Sequence, residues 1–307
     1  MSDPTQIVLT GGFAAIAVLF TMGALSRLLS RRKNLDAQMP CTIPCVEGAT
    51  SPDDMPARVA VPPDLPVGKV PVWFYHPLDL FGAAFILLVF GGLVIASFGA
   101  EEATTSINPA VLAANIAFQF ILAGAIVTLV FWRVNVVTWL GLRWPNWQWV
   151  LLIAPCTVFS MWMLFGALQL SGYMKWMESL GVETVQDTVK LLQESKDPLV
   201  IGLMAIAAVI AAPICEEIIF RGYLYPVLKR FAGVWPAAIC SAFVFSAAHG
   251  NLTALLPLFV FGALLVLIYE KTGSLWAPIA VHFCFNGATV MLQLAARYLH
   301  IPLDSAP

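Results

Sequence analysis

Charge is scarce in this chain. Of its 307 residues, 11% are Asp, Glu, Lys or Arg, where a soluble domain carries about 25%. Hydrophobic residues make up 60%, and the mean hydropathy is +0.84. A soluble globular domain is excluded, and an all-α polytopic membrane bundle is expected. The net charge of -2 leaves no basic excess to attract nucleic acid. No basic residue precedes the first apolar run at 7–26, and no small-residue cleavage site comes after it. That run is therefore expected to be an uncleaved anchor rather than a signal peptide. No internal repeat is visible, which argues against an inverted-repeat transporter. The zinc-protease pattern H-E-x-x-H is absent. Cysteines number six. Cys41 and Cys45 form a C-x3-C pair in a Pro-rich loop, with no second pair to complete a zinc site. Cys156, Cys215, Cys240 and Cys284 lie in apolar runs and are expected to be small buried side chains.

The apolar runs predict about eight transmembrane helices, near 7–26, 78–99, 109–131, 148–170, 199–222, 235–249, 252–269 and 275–296. The sixth is short for a full crossing. The chain divides into three regions: an N-terminal anchor at 1–33, a linker at 34–76, and a bundle at 77–307. The linker holds most of the nine prolines between Pro40 and Pro77 and is expected to be an extended tether. Arg31 to Lys33, Arg133, Arg143, Lys229, Arg230 and Lys271 fall at alternate span ends. The positive-inside rule puts those ends in the cytoplasm and the N-terminus outside, with Arg297 on the outer side as a mild exception. Trp132, Trp139, Trp144, Trp147 and Trp149 are expected as an interfacial belt. Val182, Val185, Val189 and Leu192 predict an amphipathic interfacial helix within 171–198.

One stretch breaks the apolar pattern. Glu216 and Glu217 sit side by side in the fifth span, and Arg221 comes four residues after Glu217. An ionised side chain in a bilayer costs about 3 kcal/mol or more, so such groups face a bundle interior or wet cavity. Glu217 and Arg221 are i,i+4 neighbours in the favourable order. Glu216 lies about 100° round the helix and misses that pairing. The spacing predicts that Glu217 and Arg221 neutralise each other while Glu216 stays free to act. The competing reading is a buried ion pair beside a spectator carboxylate.

Two of the four histidines lie in apolar spans. Phe245-x-x-x-His249 and His282-x-x-x-Asn286 each put two side chains on one helix face. Any one of these polar groups could merely tie helices together; two Glu, an Arg, two His and an Asn on three spans suggest a site. Acyl transfer to water needs a base and donors for the oxyanion. Glu216 can be the base, His249 can orient the water, and His282 with Asn286 can face the oxyanion. No serine or cysteine nucleophile with a clear base is evident.

In this order, Glu216-Glu217-x-x-x-Arg221-Gly222, Phe245-x-x-x-His249 and His282-x-x-x-Asn286 resemble the CPBP intramembrane proteases, which include type II CAAX prenyl proteases and bacteriocin-processing or immunity proteins. The resemblance covers about 195–297. It implies a helical bundle with a conical, cytoplasm-open cavity. It also implies catalytic roles for Glu216, His249, His282 and Asn286, supported by Glu217, Arg221 and Phe245. The expected activity is cleavage of membrane-associated or prenylated peptides by water that Glu216 activates, without a cofactor. A prokaryote-like relative would sit in a bacterial inner membrane. Two alternatives stand: a zinc protease using His249, His282 and Glu216, and a non-catalytic binding or immunity protein.

Overall fold

The structure, a computed structural model, describes residues 4–37, 68–97, 109–182 and 187–299; Cys41, Cys45 and most of the linker lie outside them. Among the described residues every regular element is helical. The main elements are α1 (Pro4–Ala37), α2 (Asp79–Ser97), α3 (Pro109–Val130), α4 (Val136–Trp139), α5 (Val150–Leu170), α6 (Tyr173–Ser179) and α7 (Asp187–Glu194). They continue with α8 (Pro198–Ala232), α9 (Val234–Ala247), α10 (Leu252–Thr272) and α11 (Trp276–Tyr298). Six of these helices, α1, α3, α5, α8, α10 and α11, are long and apolar enough to cross a membrane; α2 and α9 are shorter apolar helices. All eight stand where apolar runs predicted spans. With 14 residues, α9 extends about 21 Å, less than the roughly 30 Å hydrocarbon core. The protein is a polytopic helical membrane bundle.

Local chemistry sets the ends of the central helix. At its start, Asp197 accepts a hydrogen bond from the Leu199 N–H, and Pro198 stands at the first helical position. Both are strong N-terminal signals. At its end, Lys229 and Arg230 lie in the last turn, and Gly233 takes φ +93°. Between these ends α8 is not a plain α-helix. Residues 207–211 and 217–224 are π-helical. Each π-stretch runs up to a proline, Pro213 and Pro226, which have no N–H to donate. The Ala212 N–H goes to Ala207 O, so Ala208 O loses its α partner to that bond and its π partner to Pro213. Asn286 Nδ2 donates to it instead, at 2.8 Å.

α9 and α10 pack as an antiparallel pair, and α1 lies against α9 and the end of α8. Close approach of α1 is allowed by Gly12, where a Cβ would strike the Phe243 ring, and Gly23, where one would meet Ala232 O. Small residues are the usual means of bringing membrane helices together.

Several elements differ from the sequence expectation. Residues 69–78 lie across one end of the bundle, where Val70, Val72, Phe74 and Tyr75 are buried. The segment turns at 73–74, where the Tyr75 N–H meets Val72 O at 3.3 Å, so no regular periodicity marks it in the sequence. Trp139 is 1% exposed and lies inside the bundle rather than in the belt, because its indole N–H has hydrogen-bond partners there; Trp132, Trp147 and Trp149 are exposed. The expected interfacial helix is two short ones, α6 and α7, with Gly181 at φ +74° between them. Val189 and Leu192 lie in α7, Val182 lies outside it, and Val185 lies outside the described residues. Cys156 is exposed, not buried. Arg297 donates to Leu192 O and Ser195 O at 2.7 and 2.6 Å, capping carbonyls that the end of α7 leaves open.

Candidate active site

Four elements meet at the acidic pair: α8, the end of α9, α10 and α11. Glu217 and Arg221 are fully buried. Arg221 Nη1 donates to Glu217 Oε1 at 2.9 Å, as the i,i+4 spacing predicts, and Nη2 donates to Gly262 O at 3.1 Å. The guanidinium carbon lies 4.3 Å from the centroid of the Phe245 ring. A desolvated cation over an aromatic face contributes about 2 kcal/mol. Gly262 makes this possible: a Cβ there would come within 3.1 Å of the Phe245 ring. The buried guanidinium thus has a carboxylate, a carbonyl and a ring face, the pairing a buried charge requires.

His282, 2% exposed, joins from α11. Its Nδ1 lies 2.9 Å from Glu217 Oε1. An ionised carboxylate only accepts, so Nδ1 carries the proton and Nε2 is directed elsewhere. Nε2 lies 4.0 Å from Glu216 Oε2. The Glu216 side chain is 22% exposed, against 0% for Glu217, and its Oε2 has no hydrogen-bond donor among the described residues. Two adjacent carboxylates therefore have different surroundings. Glu217 is held between Arg221 and His282 through Oε1, with its Oε2 unpaired like that of Glu216, and only Glu216 is partly exposed.

His249 lies in the turn after α9, with Gly250 at φ +67° completing it. Its Nδ1 is 2.9 Å from Phe245 O. A carbonyl accepts only, so this nitrogen also holds the proton and leaves Nε2 bare. Phe245 is the divider: its ring lies 5.1 Å from that of His249 and 5.8 Å from that of His282, both edge-on. Phe261 closes the other side of His282, with ring centroids 5.3 Å apart. Asn286 sits nearer the start of α8, with Nδ2 on Ala208 O. One of its two amide protons is used there, and the second remains.

Of the residues singled out in the sequence, Glu216, Glu217, Arg221, Phe245 and His282 come together in one network. His249 reaches it through the Phe245 ring, and Asn286 is turned toward the Ala208 carbonyl. Among the described residues, no group of three or more His, Cys, Asp and Glu is placed to hold a metal ion. The sequence did not single out Gly262, Phe261 or Ala208. Gly262 and Ala208 act through backbone carbonyls, which every residue has; only the glycine at 262 could have hinted at close approach.

A helical membrane bundle with a buried acid, guanidinium and imidazole cluster defines the class. Residues 198–288 match a family model described as "Type II CAAX prenyl endopeptidase Rce1-like", so the resemblance carried by the three motifs is shown for this segment. In Bacillus subtilis (strain 168), the chain is similar to "Putative membrane peptidase YdiL", 33% identical over 94 residues, and to "Uncharacterized protein YpbD", 30% identical over 135 residues. These alignments cover 31% and 43% of this chain, and 38% and 63% of the relatives' own lengths. No solved structure matches.

Proposed function

We propose that the protein is an intramembrane endopeptidase that hydrolyses membrane-associated peptides, prenylated ones included, in a bacterial inner membrane. The observation that carries this reading is the asymmetry of the two carboxylates. Glu217 is neutralised by Arg221 and bound by His282 through Oε1, whereas Glu216 is partly exposed and its contact with His282, at 4.0 Å, is too long for a hydrogen bond; each acid keeps its Oε2 free of a donor among the described residues. A purely structural ion pair needs no second, unpaired acid in a bilayer.

In the proposed reaction Glu216 takes a proton from water as the water oxygen attacks the scissile carbonyl carbon. His249, with its bare Nε2, accepts the other water hydrogen and orients the attack. The carbonyl π electrons move onto oxygen. His282 faces that oxyanion through Nε2 and Asn286 through its second amide proton; in this role His282 carries both ring protons. As the C–N bond breaks, Glu216 returns its proton to the leaving amine. Positioned donors of this kind act on charge that develops in the transition state. The scheme is metal-free.

The test is cleavage of farnesylated and unmodified membrane peptides by detergent-purified protein, with Glu216→Gln compared. Cleavage by the wild type and loss in Glu216→Gln, with the variant folded and still binding peptide, supports the reading. Unchanged cleavage by Glu216→Gln overturns it.

A further inference from the structure

The carbonyl of Gly222 lies one residue beyond Arg221, in the π-helical part of α8. In an α register its donor would be residue 226, which is Pro226 and has no N–H; in the π register, where the Tyr225 N–H goes to Phe220 O, Pro226 falls opposite Arg221 O instead. The Gly222 carbonyl is taken up from outside the helix. Tyr75 Oη donates to it at 3.0 Å, and Trp139 Nε1 lies 3.0 Å from it and 2.7 Å from Tyr75 Oη. Both side chains are buried, at 2% and 1% exposed. Neither belongs to the 198–288 segment that carries the family match. Burial pushes the Tyr75 hydroxyl well above its usual range, so it stays a donor. The glycine at 222 gives room here: a Cβ would come within 2.9 Å of a terminal methyl of Leu140, which would have to shift.

The neighbouring residues are tied as well. Arg221 reaches Gly262 O, and Tyr223 Oη donates to Asp79 O at 3.2 Å. Asp79 in turn is held by a two-pronged pair with Arg133. The π-helical turn is thus fastened at three consecutive residues, with different elements holding each. This matters to the acids because a π-turn carries one residue more than an α-turn. Losing that residue would rotate Glu216 and Glu217 by about 100° relative to the C-terminal part of α8, away from His282.

We propose that Tyr75 and Trp139 are positioning residues of the site, holding the π-helical register of α8 by occupying the Gly222 carbonyl from outside the helix. The catalytic part of this statement rests on the proposed protease reading; the structural part does not.

The experiment is a mutational cycle on the full chain in detergent. Tyr75→Phe with Trp139→Phe removes both donors, and Pro226→Ala offers the Gly222 carbonyl an α-helical N–H. Leaving a buried carbonyl unsatisfied is expected to raise amide hydrogen exchange across 217–225 about tenfold, with α10 unchanged. The kcat for peptide cleavage should fall about tenfold with KM within about twofold. Adding Pro226→Ala should bring exchange back to within about threefold of the wild type, because the carbonyl is paired again, but should not restore kcat, because that pair is an α-bond. If the double variant does not accumulate, Tyr75→Phe alone carries the test, and its faster exchange must vanish in the Pro226→Ala background. Faster exchange that is equal with and without Pro226→Ala, recovery of kcat in the Pro226→Ala background, or faster exchange spread evenly over α10 and α11 overturns the proposal. If the wild type cleaves no peptide, the protease reading fails while the exchange arm still decides the register inference.

Discussion

Glu217 Oε1 is shared. Arg221 Nη1 and His282 Nδ1 each lie 2.9 Å from it, so one oxygen joins the guanidinium of α8 to the imidazole of α11.

Arg221→Ala should therefore damage folding before it damages chemistry. It leaves Glu217 with His282 alone and breaks a buried ion pair, which costs about 3–5 kcal/mol. Folded yield and melting temperature in detergent should both drop. Glu216→Gln, at a partly exposed and unpaired position, should accumulate and melt like the wild type. The reverse pattern would exchange the roles assigned to the two acids.

Asn286→Ala should have two separable effects. Turnover should fall about 10²–10³-fold, the usual loss for one oxyanion donor, with little change in peptide binding. Stability should also fall by about 1–3 kcal/mol, because the Ala208 carbonyl loses its donor. Combining it with Pro213→Ala, which supplies an N–H near that carbonyl, should recover stability but not turnover. Recovery of both would reduce Asn286 to a structural bond.

Peptide cleavage should survive exhaustive chelation and dialysis, since the proposed base is a carboxylate acting on water directly. Metal analysis and rate should be measured on one sample. Loss of activity that stoichiometric zinc restores would assign Glu216, His249 and His282 to a metal instead.

Topology offers another test. Arg133, Lys229, Lys271 and the segment 69–78 gather at one end of the bundle, while the turn bearing His249 lies at the far end of α9 from Gly233, which itself adjoins Arg27. The positive-inside rule places the basic end in the cytoplasm, so the His249 turn should face outward. The family resemblance implies a cytoplasm-open cavity, and the two expectations pull apart here. In sealed right-side-out vesicles, a cysteine at Gly250 should react with an impermeant thiol reagent and one at Lys271 should not, after the native cysteines are replaced. The opposite labelling would favour the cavity orientation implied by the resemblance.

The sequence made the outline legible for a physical reason: in a bilayer each polar residue is conspicuous, so Glu216, Glu217, Arg221, His249, His282 and Asn286 stood out without any structure. The pairing of Glu217 with Arg221 came from helical spacing alone. Spacing could not place Asn286 on Ala208 O, because that bond depends on a π-turn, and periodicity assumes 3.6 residues per turn throughout. Pro213 and Pro226 announced missing donors but not what replaces them. Trp139 read as a belt residue because an indole in a short polar connection looks the same whether it faces lipid or turns inward. Tyr75 was hidden in a Pro-rich stretch whose composition points to extended, solvated chain.

Gly141 and Gly273 sit against each other at the basic end. Both take positive φ, and a Cβ on Gly141 would lie 2.0 Å from Gly273 O. Next to them, Leu275 N–H donates to Leu140 O at 3.0 Å. By contrast, a Cβ on Gly172, Gly181 or Gly250 meets nothing within 4 Å. The two rims of the bundle therefore differ in their freedom to yield. One is bolted by backbone pressed on backbone, so insertions should be tolerated better at the turns bearing Gly172 and Gly250 than where Gly141 meets Gly273.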